Sequence, residues 1–350
     1  MQLRYITFSK AVKKMAAGAC MVAFMSGLAS CESVYEDQGD CDPHYYLSFK
    51  FEKHLNYGDA FNEEVNSVDV YLFHPETGEY IAHFSEKGEP LRQKGYRMEL
   101  PINPGDYDII TWCGLADNEN HFTVPERVAL HEELKCRMDR ENDGTFNYSE
   151  RNLHSLYHGR VAASYPDREG EHEATVYLTK DTNNLTILFH HNSGEIDPTI
   201  FDITLTDANG HLAHDNSLLS DDMIQYRPFR LEGGLTDFES RADGSEEGTG
   251  FFLGELSTSR LMADRSPVLS VTDRTNGNVL FSIPFVKYEL MSRPGKYQEM
   301  DEQEYLDRKS EYSLMVFLEN DPETDGWRAV GIEINSWHVI VNGDNEDIDI

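Results

Sequence analysis

Val68-Asp69-Val70-Tyr71-Leu72-Phe73, then His74-Pro75-Glu76-Thr77-Gly78, then Tyr80 to Phe84, reads as a β-hairpin. The first six residues are nearly all β-branched, aromatic or aliphatic, which suits a pleated, buried surface. Pro75 and Gly78 supply the geometry of a turn, and Tyr80 to Phe84 is the returning strand. The same grammar extends outward. Tyr45, Leu47, Phe49 and Phe51 alternate with other residues, and Met98 to Ile102 is another short strand. Pro104-Gly105-Asp106-Tyr107 opens Ile109-Ile110-Thr111-Trp112, a turn feeding a Tyr-led strand of the kind found in prealbumin-like sandwiches. Strands recur at Thr175 to Leu178, Leu185 to Phe189 and Phe201 to Leu205, the last followed by an Asn209-Gly210 turn. Val268 to Val271 and Val279 to Phe285 flank Asn276-Gly277 as a hairpin, and Tyr312 to Leu318 and Ile332 to Val341 form the final pair. Val128 to Met138 reads as a helix, with a shorter one at Leu153 and Leu156-Tyr157, and Asp237 to Gly250 as a long exposed loop. Short strands, frequent turns and few helices predict a mainly β protein of β-sandwich domains. The domain boundary is expected between Ser164 and Glu173.

The N-terminus carries an address. Arg4, Lys10, Lys13 and Lys14 precede an apolar run from Met15 to Leu28, too short to span a bilayer. Leu28-Ala29-Ser30-Cys31 closes it in the layout of a bacterial lipoprotein signal. Residues 1–30 are read as the leader, Cys31 as the lipidated residue and residues 31–43 as an acidic tether. Residues 44–168 and 169–350 then form the two domains. The expected location is the outer membrane, held by acyl chains.

The leader holds four of the 30 basic residues and none of the 63 acidic ones, so a chain starting at Cys31 has a net charge of −37. Such a surface repels phosphate backbones, which excludes nucleic acid as a partner class. An apolar content of 39% is too high for a disordered acidic chain. With Cys31 lipidated, Cys41, Cys113 and Cys136 remain; a Cys113–Cys136 disulfide and three free thiols are both compatible with the spacing.

Few residues suggest chemistry. Asp139, Glu141, Asp143 and Glu150, with Gly144, fall at positions 1, 3, 5, 12 and 6 of a calcium-binding loop. An acidic chain generates this spacing readily, so a solvated loop is the expectation and no metal is favoured. His154 and His158 are four apart, His190 and His191 adjacent, and His131-Glu132-Glu133 begins like a zinc-protease helix without completing it. The fourteen histidines are read as scattered over the surface. No nucleophile elbow or phosphate-cradling loop occurs; an enzyme is not expected, nor a cofactor beyond the lipid on Cys31. Trp112 and Trp337 lie in strand contexts and are read as core; Trp327, after Asp325-Gly326, is read as exposed. At the C-terminus Ile348 and Ile350 alternate with Asp347 and Asp349, so both isoleucines share a strand face and could enter pockets of a neighbouring sandwich. The plainer reading is an acidic tail.

The order of these features resembles the FimB/Mfa2 family of fimbrial anchor subunits, from the Bacteroidetes that build type V pili. The resemblance runs through the lipobox, Cys41-Asp42, the strand at Val68 to Phe73, and Pro104 to Trp112. It continues through Leu153-His154-Ser155-Leu156-Tyr157-His158-Gly159, Glu304-Tyr305-Leu306-Asp307-Arg308 and Ile332 to Trp337. It implies two transthyretin-like β-sandwich domains and a lipid-held protein at the base of a fimbrium. Such an anchor would bind a stalk pilin by β-strand exchange and end polymerisation. Stalk subunits lose an N-terminal strand to an Arg- or Lys-specific protease; an anchor keeps its own. Consistently, the first basic residue after Cys31 is Lys50. The rival expectation is a surface glycan-binding lipoprotein or fimbrial tip adhesin, with Trp327 as a platform.

Overall fold

A computed structural model describes residues 42–191, 196–235, 239–240, 246–247, 250–322, 326–335 and 337–340. Strands β1 (Pro43–Lys50), β2 (Ser67–Phe73), β3 (Tyr80–Lys87), β4 (Arg97–Glu99) and β5 (Gly105–Cys113) come first, with a one-turn helix α1 (Phe61–Glu64) after β1. Four short strands follow: β6 (Phe122–Thr123), β7 (Cys136–Met138), β8 (Glu141–Asn142) and β9 (Asn147–Ser149). Then come β10 (Tyr157–Tyr165), β11 (Gly170–Tyr177) and β12 (Thr179–Lys180). A three-stranded sheet, β11-β1-β4, and a five-stranded sheet, β12-β10-β5-β2-β3, enclose the first core. β1 shows why alternation builds a sandwich: Tyr45, Leu47 and Phe49 point into that core while their neighbours are half-buried.

β2 is buried at every position, which a one-sided sheet would not require. Its sheet is packed on both faces. Val68, Val70 and Leu72 of β2, with Ile109 of β5, enter the first core. Tyr71, Phe73, Ile110 and Trp112 point the other way, into a second and larger core. An apolar run from Val68 to Phe73 interrupted only by Asp69 is the sequence mark of such a wall.

The second core lies between two six-stranded sheets. After β12 come β13 (Thr182–His191), β14 (Phe201–Asp207), β15 (His211–Leu212), β16 (Ile224–Tyr226) and β17 (Arg230–Leu235). β18 (Glu239–Ser240) and β19 (Glu246–Glu247) pair with each other inside the expected long loop, most of which is outside the described residues. β20 (Gly250–Ser259), β21 (Val268–Asp273), β22 (Val279–Pro284), helices α2 (Phe285–Met291) and α3 (Glu302–Arg308), β23 (Glu311–Asp321), β24 (Gly326–Ile334) and β25 (Trp337–Ile340) complete the chain. The sheets run β17-β20-β13-β23-β24-β25 and β22-β21-β14-β16-β9-β8. Two of these contacts, β13 with β23 and β16 with β9, are parallel. The mainly β architecture is as expected.

Four details differ from the sequence reading. Val128 to Met138 is not a helix: one 3-10 turn at His131–Glu133 leads into β7, which pairs with β6 and β15. Leu134, Cys136 and Met138 are buried and Lys135 and Arg137 exposed, so the true period is two. Leu153 and Leu156 are buried in extended chain, and Tyr157 opens β10 rather than a helix. The strand expected over Ile332 to Val341 breaks at Asn335, whose φ of 48° is left-handed, into the β24–β25 hairpin. Finally, Pro166 to Glu169 is a turn inside the first sandwich, not a linker. β11 joins the sheet of β1, the amide of Leu178 donates to Lys50 at 2.8 Å, and β12 pairs with β10. The first sandwich therefore extends through Lys180, and Phe122, Cys136 and Leu153 belong to the second core.

Candidate functional site

The residues expected to hold lipid and partner, Cys31, Ile348 and Ile350, lie outside the described residues, as does Cys41. The tether enters the fold at β1, the middle strand of its sheet, with Tyr46, Leu47 and Ser48 opposite Glu99, Met98 and Arg97. The tail leaves from β25, the edge strand of a six-stranded sheet, paired on one side with β24. Among the described residues no strand covers its other side, so unpaired backbone groups sit where the tail begins.

The β24–β25 turn is pinned from below. Lys309, directly after α3, donates to Glu289 of α2 at 2.6 Å and to Asn335 Oδ1 at 3.0 Å. Asn335 Nδ2 donates to Glu289 at 2.9 Å and to Ser292 Oγ at 3.0 Å. Both charged side chains are buried, so this cluster ties the hairpin to the helical segment by charge-assisted bonds shielded from water.

A second buried cluster joins the two sandwiches. Arg260, at the end of β20, grips Asp307 of α3 with Nε at 3.1 Å and Nη2 at 2.8 and 2.9 Å. Lys53, from the loop after β1, donates to the same carboxylate at 2.7 Å, and Gln303 at 2.8 Å. Burial works to raise the Asp307 pKa, but Arg260 and Lys53 outweigh it and hold the carboxyl below its usual range. Asp181, which begins the connection between β12 and β13, is wholly buried nearby, 3.7 Å from Arg260 Nε. Asn216 donates to it at 2.9 Å. Here burial wins over Arg260 and pushes the pKa up to about 7. Sequence reading missed both clusters. Asp307 and Arg308 were visible only within the family-like segment at 304–308.

The four acids of the calcium-like spacing do not gather into one ligand set: Asp143 and Glu150 meet on Arg227 and Glu141 pairs with Arg151. Residues 141–149 form the β8–β9 hairpin, which joins the second sandwich through β16. Asp143 caps the turn, accepting the amides of Phe146 and Thr145 at 2.8 and 2.9 Å and Arg227 at 2.8 Å; these bonds lower its pKa to about 2. Glu141 takes Arg151 at 3.1 Å, Glu150 lies 3.6 Å from Arg227, and Asp139 is in the segment before the hairpin. Among the described residues no three His, Cys, Asp or Glu side chains are grouped as metal ligands.

The histidines are less superficial than expected. His158 is buried, its Nε2 is 2.9 Å from the His214 carbonyl, and burial pushes its pKa down to about 4. His191 is buried against Trp327, and His131 stacks on His214 while bonding Asp108 at 3.1 Å. His154 and His158 share no helix. Cys113 and Cys136 are free, buried thiols whose pKa burial raises. Trp112 is core, as read. Trp327 is half-buried, edge-on to His191 and Phe201, rather than an exposed platform.

A family model described as fimbrillin-A associated anchor proteins Mfa1 and Mfa2 matches residues 38–343. A comparison with curated proteins gives no match. Among solved structures, a candidate adhesin from Bacteroides thetaiotaomicron is 31% identical with a TM-score of 0.73, the match covering 86% of this chain and 99% of that one. A candidate polysaccharide-binding protein from the same species is 26% identical with a TM-score of 0.69, over 87% and 100%. The fimbrial anchor protein Mfa2 of Porphyromonas gingivalis has a TM-score of 0.63 over 86% and 100%; at 17% identity this likeness is one of fold. On the extent of the family match, this chain belongs to the Mfa2 family of fimbrillin-associated anchor proteins.

Proposed function

We propose that the protein is an outer-membrane lipoprotein, acylated at Cys31, that anchors a fimbrium and ends its polymerisation by β-strand exchange with a stalk pilin. The observation that carries this reading is the family match over 38–343, joined to a leader that ends on Leu28-Ala29-Ser30-Cys31. Three features support it. The tether from Cys31 to Ser48 has no Lys or Arg for a trypsin-like protease. The tail departs beside the open edge of β25, where strand addition supplies main-chain hydrogen bonds and alternate side chains supply specificity. Ile348 and Ile350 alternate with Asp347 and Asp349, so on a strand they would offer one apolar face to a neighbouring sandwich. The role is structural, with no catalytic step.

The glycan-binding alternative has one relative in its favour and loses its expected platform, because Trp327 packs against His191 and Phe201. The test is Cys31→Ala. Wild-type protein takes up a palmitate analogue and stays with the outer membrane together with pilin; the variant takes up none and sheds pilin into the medium. Equal labelling of both refutes the lipid anchor, and pilin retained by an unlabelled variant refutes the anchoring role.

A further inference from the structure

A cavity of about 520 Å³ lies beside α2, bounded by the loop before β22's partner strand β21 and by the segment leading into α3. Its chemistry is opposite to that of the chain. The protein carries a net charge of −33, yet Arg265, Lys287 and Arg293 all line this one space. Two other buried arginines are matched by buried carboxylates, Arg260 by Asp307 and Arg140 by Asp221. Those here are not. Arg265 donates from Nη2 to the Ala208 carbonyl at 2.8 Å, and its buried Nε has no partner among the described residues. Arg293 is held by the carbonyls of Leu290 at 2.9 Å and Met300 at 2.8 Å, and its Nη2 makes a loose ion pair with Glu302 at 3.8 Å, outside hydrogen-bond distance. Glu302 is 59% exposed at the rim. Lys287 is exposed, and among the described residues no carboxylate lies within ion-pair distance of it. Asp207 and Asp264 are the other acids near Arg265, and neither bridges to it. The rest of the lining is mixed: polar Ser266 and Gln298, and an aliphatic part made by Ala263, by Val286 and Leu290, one helical turn apart, and by Met291.

The ligand that fits has closely spaced carboxylates and one or two short aliphatic groups. A long acyl chain does not, because charged and polar side chains outnumber the aliphatic ones in the lining. The chain itself carries such a segment: Glu346-Asp347-Ile348-Asp349-Ile350. Reach permits it. The turn at Asn335 is bonded to Glu289 and Ser292, so the hairpin rests on the helix that lines the cavity. Ile340 lies three strand steps from Trp337, about 10 Å. A helix with side chains is about 10–12 Å across. The eight residues from Ile340 to Ile348 extend up to about 28 Å, more than the sum of these spans.

We propose that this cavity receives residues 346–350 of the same chain, the carboxylates against Lys287 and the unfilled sides of Arg265 and Arg293, an isoleucine on Val286, Leu290 and Met291. Docked there, Ile348 and Ile350 are held back from any neighbouring sandwich, so a partner that takes the tail must compete with this site.

The test uses protein lacking residues 343–350 and a fluorescent peptide of that sequence, read by anisotropy. The truncated protein binds the peptide, more weakly as salt rises. Full-length protein binds it at least 10-fold more weakly, because its own tail competes at an effective concentration in the millimolar range. Lys287→Glu lowers peptide affinity about 10-fold or more with an unchanged melting temperature. A peptide carrying Ile348→Ala and Ile350→Ala also binds at least 10-fold more weakly. No binding to truncated protein at millimolar peptide overturns the proposal, as does equal binding to full-length protein or indifference to Lys287→Glu. Inorganic phosphate or oleate binding where the peptide does not would assign the cavity to another ligand and overturn it too. None of these readouts involves pilin, so failure here is separable from failure of the anchoring role.

Discussion

Replacing Asp181 by asparagine isolates a buried carboxyl whose charge the interior opposes. The carboxyl is wholly buried; one oxygen accepts from Asn216, and the other has no partner among the described residues. Burial raises its pKa from 3.8 to about 7, against the pull of Arg260 3.7 Å away. A folded pKa above the unfolded one means the native state holds the proton more tightly. Stability from this group is therefore present below about pH 4 and is lost as pH rises through about 7. The gap of about 3 pKa units, at about 1.4 kcal/mol per unit, sets an upper bound of about 4 kcal/mol lost by pH 8. Asp181→Asn keeps the shape and the bond from Asn216, removes the titration, and gives up the attraction to Arg260. The stability of the variant relative to wild type is expected near zero at pH 4.5, rising by about 2–4 kcal/mol at pH 8. Urea unfolding of both proteins at pH 4.5, 6 and 8, followed by tryptophan fluorescence, measures this difference; other titrating groups contribute equally to both. A difference that is the same at all three pH values, or a variant less stable at pH 8, refutes the reasoning.

Lys309→Met leaves Glu289 buried without its cation and should cost about 3–5 kcal/mol, while Lys309→Met with Glu289→Met should recover most of it; hydrogen exchange should show 326–340 losing protection first in the single variant. Gly159→Ala places a Cβ 2.3 Å from Val176 Cγ1 and 2.9 Å from the Tyr177 carbonyl, so denaturant unfolding should show a loss of about 1–3 kcal/mol; a neutral change would argue against β11 packing on β10. Millimolar calcium or EDTA should leave the melting temperature unchanged, because Asp143 and Glu141 are already bonded to Arg227 and Arg151; a rise of several degrees with calcium would show that the arginines yield.

Where strands carried their own signal, the sequence was readable. The alternation at Tyr45, Leu47 and Phe49 and the hairpin chemistry at 68–84 set the first sandwich without help from the rest of the chain. The segment at 128–138 misled because its apolar residues fit a helical spacing as well as a period of two, and the choice belongs to β6 and β15, distant pairing partners. The break at Asn335 depends on one residue entering the left-handed region beneath a strand-forming run. Nothing local distinguishes Asp181 or Asp307 from the many solvated acids around them; their burial is decided by Arg260 and Lys53, far away in sequence. The calcium-like spacing was the converse case, a local pattern in which the fold turns Glu141, Asp143 and Glu150 toward arginines.

The placement of β1 has a mechanical meaning. A cell-surface filament is pulled by flow and by whatever it touches, and for a chain held through its N-terminus that tension reaches the folded part at Pro43. A strand at the rim of a sheet can be peeled, its hydrogen bonds failing one after another under low force. β1 has neighbours on both sides and drives Tyr45, Leu47 and Phe49 into the core below. Traction along its axis must shear both ladders together and drag three large side chains through packed atoms. The resistance is then set by the sum of those contacts rather than by the weakest of them.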